Sequence, residues 1–206
     1  MPLSLTRNIN KHNAVLVLWT ITESLSEMYG LAKASAIDIS ETDKFKLDSR
    51  KKQFIASRLL VNKLGFDVTK LKYTSNGKPY FSDSKSGISF SHSGDYVACI
   101  VADVEVGVDI QVYNPKLENI RTRFLSEVEN KEISSLQKLH TYWCAKEALF
   151  KLYANGNVEF KTELLIQSFD LSERGSFCGK ILKEKDVDVE LFYEKTQDYM
   201  LVYCTE

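Results

Sequence analysis

The sequence predicts an α+β fold built from two similar α/β halves with antiparallel sheets. Three observations predict it. Apolar residues recur at helical spacing in stretches that end at caps and glycines. Short β-branched and aromatic runs lie between those stretches. The order helix, helix, strands then occurs again as strand, helix, helix, strands, with the change-over near residue 105. No low-complexity linker separates the parts. The expected organisation is an N-terminal half over 1–105 and a C-terminal half over 106–206, packed as one body with a ligand site at the seam.

Bulk properties narrow the classes. The chain has 206 residues, 44% hydrophobic and 27% charged, which is enough to bury a real core. A formal net charge of −1 provides no global basic field, so no nucleic-acid partner is expected. The apolar run Ala14 to Trp19 is too short to span a bilayer, and Met1 to Arg7 lacks a signal-peptide apolar core. A cytoplasmic protein without a membrane partner is expected. Cys99, Cys144, Cys178 and Cys204 form no CxxC pair and no metal spacing with the three histidines, so they read as reduced, mostly buried thiols.

The elements follow in order. Ala14 to Trp19 is a strand. Thr22 caps a helix carrying Leu25, Met28, Tyr29, Ala32 and Ala36 at helical spacing. Ser40-Glu41-Thr42-Asp43 opens a second helix running to about Lys63, with Phe45, Ile55, Leu59 and Leu60 as core candidates and Gly65 as its stop. Arg50, Lys51, Lys52 and Arg58 decorate it, either as a solvated basic face or as a reach towards an anionic ligand. Leu71 to Tyr73 is extended, Asn76-Gly77 turns, and Lys78-Pro79 is extended again. Ile88 to Ser91, Tyr96 to Ala102 and Val106 to Val112 form an antiparallel three-stranded meander. Ser126 with Glu129 is a capping box for a helix running through Ile133 and Leu136 to Leu139. A central helix spans about Thr141 to Asn155-Gly156. Strands at Leu164–Phe169, Phe177–Leu182, Val187–Phe192 and Tyr199–Cys204 complete the chain, with loops at 173–176 and 194–198.

Two stretches carry chemistry. In Trp143-Cys144-Ala145-Lys146-Glu147-Ala148-Leu149-Phe150-Lys151, Glu147 and Lys151 stand one turn apart on one face. Alone, such a step is usually a solvated surface pair. Upstream, Val106-Gly107-Val108-Asp109-Ile110 embeds one acid in an apolar strand, which is costly unless the acid is paired or binds a cation. Brought together, Asp109 and Glu147 offer hard oxygen ligands for Mg²⁺, with Lys151 beside them.

These two stretches, in this order and about three dozen residues apart, resemble the paired signature of the 4′-phosphopantetheinyl transferases. Ser91-His92-Ser93 and Gly77-Lys78-Pro79 ahead of them resemble two further motifs of the larger, two-half, surfactin-synthetase-activating type. The resemblance covers Gly77 to Lys151. It implies a pseudo-two-fold axis relating the halves, with coenzyme A as co-substrate and Mg²⁺ in the cleft between them. It implies transfer of the 4′-phosphopantetheine arm to a serine of an apo acyl or peptidyl carrier protein, releasing adenosine 3′,5′-bisphosphate. Asp109 and Glu147 would hold the metal, Glu147 would take the serine proton, and Lys151 would stabilise phosphate charge. Ser91, His92, Lys78, Lys151 and more loosely Arg50 would contact coenzyme A. Lys146 joins that set by motif position, with its role open between ligand contact and helix support. Gln111 departs from the family, where an acid often stands two residues after the strand aspartate, so weaker metal binding is expected. Arg121-Thr122-Arg123-Phe124-Leu125 offers charge and an apolar anchor to an acidic carrier, or is a helix-entry loop whose Phe124 is core. A monomer is expected. Two other readings stand beside this one: a non-catalytic coenzyme A or carrier-protein binding module, and a metal-dependent phosphodiesterase, against which the missing acid-x-acid-x-lysine spacing counts.

Overall fold

A computed structural model describes residues 3–9, 11–153, 156–183 and 186–206. The elements are strands β1 (Leu3–Ile9) and β2 (Ala14–Thr20), helices α1 (Leu25–Ala34) and α2 (Asp48–Lys63), and strands β3 (Leu71–Tyr73), β4 (Pro79–Phe81), β5 (Gly87–Ser93), β6 (Tyr96–Ala102) and β7 (Val106–Val112). Helices α3 (Arg121–Phe124), α4 (Glu127–Glu132) and α5 (Leu136–Tyr153) follow, then strands β8 (Leu164–Ile166), β9 (Arg174–Ile181), β10 (Val187–Lys195) and β11 (Tyr199–Thr205). One sheet has the order β1-β2-β6-β5, a second β7-β11-β10-β9-β8, and β3 pairs with β4 in a small third, with every pairing antiparallel. The path β2-β6-β5 in the first sheet matches β7-β11-β10 in the second: the strand before the helices pairs with the last strand, which pairs with the one before it.

The two larger sheets face each other, and the helices cover their outer faces. Alternation along the strands sets this up. Leu16, Leu18, Ala98 and Ile100 point inward from the first sheet and meet Val106, Val108, Ile110 and Leu201 from the second. The opposite faces bury Trp19, Val97 and Cys99 against α1 and α2, and Met200, Val202 and Cys204 against α5. Strands covered on both sides have no solvent face to alternate with, so β6 and β7 read as near-continuous apolar runs. On β7 the set Val106, Val108 and Ile110 faces the sheet interior, which turns Gly107 and Asp109 towards α5.

The structure corrects several expectations. Leu3–Ile9 is a strand, β1, pairing with β2 and bonding Arg7 to Glu194 of β10. Its half-buried Leu5 and Ile9 alternate with exposed Thr6 and Asn8, a short signal that was readable. Ser24, not Thr22, caps α1 through a capping box with Glu27. The helix expected from Ser40 is a short 3-10 turn, Ser40–Lys44, followed by extended Phe45. The Phe45 ring folds back onto Phe54 at 5.6 Å, and α2 begins only at Asp48. The three-stranded meander is two strands, because β7 leaves β6 to pair with β11. Helix α4 stops at Glu132, and α5 starts at Leu136, five residues earlier than Thr141. Ser135 satisfies one of its early amides, through Lys138 N to Ser135 Oγ at 3.1 Å. Arg174–Ser176 and Glu194–Lys195 extend β9 and β10 rather than forming loops, and β8 ends at Ile166. Asn155, part of the expected stop of α5, lies outside the described residues; Gly156 beside it has φ 94.

Candidate active site at the seam between the sheets

Strand β5 ends the first sheet and β7 ends the second, so two sheet edges meet. Edge amides need partners, and here serines of β5 supply them. Val108 N donates to Ser89 Oγ at 3.2 Å, and Val112 N donates to Ser93 Oγ at 3.0 Å. Between them Ser91 Oγ donates to Asp109 Oδ1 at 2.7 Å. The alternation of strand β5 therefore aims Ser89, Ser91 and Ser93 at β7, and the middle serine meets the embedded acid.

Helix α5 lies across the outer face of β7, closely enough that only glycine fits at 107. A Cβ there would stand 2.0 Å from Ala148 O and 2.9 Å from its carbonyl carbon. That approach carries Lys151 to the acid: its Nζ donates to Asp109 Oδ1 at 2.8 Å and to Val108 O at 2.9 Å. Asp109 is 5% exposed, and its second oxygen, Oδ2, is buried with no hydrogen-bond partner. Glu147, half-buried one turn before Lys151, has its carboxyl pushed up to about 7, chiefly by burial, then by the Asp109 charge, with Lys151 opposing. Glu147 thus lies within electrostatic range of Asp109 and Lys151, although it does not line the cavity beside them, and one Asp109 oxygen is orphaned.

That arrangement fits a divalent cation. An orphaned buried oxygen costs desolvation without return, and a carboxyl held half-protonated near neutrality is short of positive charge. The donors are hard oxygens, as Mg²⁺ prefers. Among the described residues no cluster of three or more His, Cys, Asp or Glu is present. Two protein carboxylates would therefore leave Mg²⁺ most of its positions for water and phosphate. Gln111 is half-buried on the same side of β7, two residues along from Asp109.

A cavity of about 670 Å³ opens from this seam towards α2 and the 74–79 turn. Ser91, His92, Asp109, Lys151, Arg50 and Lys78 all line it. The Arg50 guanidinium lies 3.1 and 3.0 Å from the two ring nitrogens of His92, so it packs against the ring rather than addressing one lone pair. Desolvation of the ring, and then the Arg50 charge, hold the His92 pKa below its ordinary value. Lys78 comes from the turn that Gly77 makes at φ 81. Its Nζ pairs with Glu105 and donates to Leu152 O at 3.3 Å.

Lys146 is a motif residue that the structure takes out of the ligand-binding set. It is fully buried, and its Nζ donates to Phe124 O at 2.8 Å, Glu129 Oε2 at 2.7 Å and Phe160 O at 2.8 Å. Three donors meet three acceptors, so nothing is left for a ligand. Burial lowers the Lys146 pKa, with Glu129 opposing. Glu129 also closes the α4 capping box and accepts from Ile166 N at 2.8 Å. The pair ties α5 to α4 and β8.

Arg58, open from sequence between a solvated face and a reach towards an anionic ligand, is a cavity residue. Its guanidinium sits 3.7 Å over the Phe54 ring, and both residues line the cavity. Arg50, Phe54 and Arg58 recur every four residues on one face of α2, a signal that could have separated them from Lys51 and Lys52. Arg121 is committed within the chain, to Asn130 Oδ1 at 2.7 Å and Glu118 at 3.0 Å, and Phe124 is core; Arg123 stays exposed.

Comparison with known proteins bears on the same segment. Residues 105–204 match the family model described as the 4′-phosphopantetheinyl transferase superfamily. Over that span the chain is similar to this superfamily. The matched span begins at Glu105 and takes in Asp109, Lys146, Glu147 and Lys151. Similar proteins include the 4′-phosphopantetheinyl transferase psf-1 of Bacillus pumilus, 31% identical over 139 residues, covering 63% of this chain and 58% of that protein. The 4′-phosphopantetheinyl transferase AcpT of Salmonella typhi is 30% identical over 112 residues, covering 50% and 58%. A Haemophilus influenzae relative is 31% identical over 106 residues, covering 45% and 43%. The chain thus spans about half the length of the relatives it matches. Among the described residues, no helix is long and apolar enough to cross a membrane.

Proposed function

We propose that this protein transfers 4′-phosphopantetheine from coenzyme A to a serine of an apo acyl or peptidyl carrier protein. The observation that carries the reading is the Asp109–Lys151 pair in the wall of a cavity lined by further cations, with the Glu147 carboxyl close enough to feel both charges. Coenzyme A is a polyanion with a pyrophosphate, and a cavity of this size with Arg50, Arg58, Lys78 and Lys151 in its wall suits it. The halves 1–105 and 106–206 would each supply one wall.

In the reaction the carrier serine oxygen bonds to the phosphorus that bears pantetheine. The bond from that phosphorus to the bridging oxygen breaks, and adenosine 3′,5′-bisphosphate leaves. Asp109 and Glu147 would hold Mg²⁺, whose role is to neutralise charge on the pyrophosphate. Glu147 would accept the serine proton; in the metal-free protein burial pushes its carboxyl up to about 7. Lys151, fixed by Val108 O and Asp109, holds positive charge beside the phosphates. Ser91 acts through Asp109, since its hydroxyl is spent on that carboxylate. His92 and Arg50 stand together at the cavity wall, where the phosphates of coenzyme A would meet them. Arg123 remains available to an acidic carrier. The protein would act as a cytoplasmic monomer.

The test follows adenosine 3′,5′-bisphosphate by chromatography. Release is expected only when coenzyme A, Mg²⁺ and an apo carrier are all present. Release without a carrier would favour phosphodiester hydrolysis instead, and coenzyme A binding without release from any carrier would favour the binding module.

A further inference from the structure

Lys78 crosses from the first half to the second. Its ammonium has three donors, and two of them are occupied. One goes to the Glu105 carboxylate and one to Leu152 O, among the last carbonyls of α5, where the helix end is electronegative. The Lys78 side chain is 19% exposed and that of Glu105 50%, so the acid stands at the rim with the lysine behind it.

Glu105 is fixed there by its backbone. Glu105 O accepts from Glu206 N at 3.0 Å, beside the end of β11. On its other side the 103–105 turn packs against Gly87, where a Cβ would stand 2.1 Å from Val104 O and 3.0 Å from the Glu105 Cα. Only glycine at 87 lets the turn sit so close to β5. The carboxylate therefore hangs from a pinned backbone, in reach of the amine that lines the cavity.

We infer that Glu105 is an affinity-limiting residue that competes with the phosphates of coenzyme A for Lys78. The inference rests on the assignment of Lys78 to coenzyme A binding made above. A phosphate entering the cavity must displace the carboxylate or share the amine with it, and the carboxylate also repels an anionic ligand at the rim. Both effects have the same sign. Glu105→Gln keeps the length and an acceptor oxygen for Lys78 but removes the negative charge, so binding tightens. Exposed ion pairs of this kind correspond to changes of about two- to fivefold.

The experiment is isothermal titration of coenzyme A into the full chain, at low and at physiological salt. Four proteins are compared: wild type, Glu105→Gln, Lys78→Ala and the double variant. Glu105→Gln is expected to lower Kd about threefold at low salt and less at high salt. Lys78→Ala is expected to raise Kd, and adding Glu105→Gln to it should recover only the part due to repulsion. If Glu105→Gln weakens binding or leaves it unchanged while Lys78→Ala weakens it, the competition is refuted and Lys78 keeps its ligand role. If Lys78→Ala leaves Kd unchanged, the assignment of Lys78 fails, and the inference fails with it. Thermal unfolding of each variant separates loss of the link between halves from loss of binding.

Discussion

Adding one methyl at Gly107 should uncouple the active site without touching any of its side chains. The Cβ of alanine would stand 2.0 Å from Ala148 O, 2.9 Å from its carbon and 3.2 Å from Leu152 N. All three atoms are helix backbone and have no rotamer to change. Restoring ordinary contact needs α5 to retreat by roughly 1.4 Å from β7. The Lys151–Asp109 bond, now 2.8 Å, would then exceed hydrogen-bonding range. Overpacking of this kind costs about 1–3 kcal/mol of stability. A displacement near 1 Å at the reacting centre can cost about 10²-fold in rate. The assays are urea denaturation and kcat/KM for transfer to a carrier. Gly107→Ala should lose both stability and activity, and Ala148→Gly should restore neither, because the clash is with backbone. Full activity at wild-type stability would refute the claim that the helix–strand approach sets the site.

Three further outcomes are expected. Glu147→Gln should abolish transfer yet stabilise the metal-free protein at alkaline pH. The folded pKa of Glu147 is raised from 4.5 to about 7, so the wild type loses stability as pH rises through that window, and the variant should show a flatter profile in urea melts with EDTA at pH 5 and 8. Lys146→Met leaves the Glu129 carboxylate buried without its cation and should cost about 3–5 kcal/mol, with part recovered by Glu129→Gln; unchanged stability with weaker coenzyme A binding would return Lys146 to the ligand set. Gln111→Glu should tighten Mg²⁺ by about an order of magnitude in a calorimetric titration, and an unchanged titration would deny that position a ligand role.

The site was more legible than the fold around it. An acid inside an apolar strand, and a Glu–Lys step on a helix, are local facts whose cost is apparent from sequence, and Asp109 and Lys151 do meet. Where β7 pairs is not a local fact. Its apolar run is compatible with β6 or β11, and the choice depends on how the two sheets stack. The identity of Lys146 concealed its role for a related reason. A lysine between an alanine and a glutamate reads as exposed, and only the positions of Phe124, Glu129 and Phe160 bury it. Helix ends failed where tertiary contacts outvoted local signals, as when Phe45 turns back onto Phe54. Ser91 reads from sequence as a ligand contact, yet its hydroxyl donates to Asp109, a contact set by the meeting of two sheet edges.

The most direct measurement is the intact mass of an apo carrier protein after incubation with this chain, coenzyme A and Mg²⁺. The account predicts a gain equal to one phosphopantetheine group. It predicts that the gain disappears with Glu147→Ala, with EDTA, and when the carrier's target serine is alanine. A gain that survives Glu147→Ala, or no gain on any carrier despite bound coenzyme A, would contradict it.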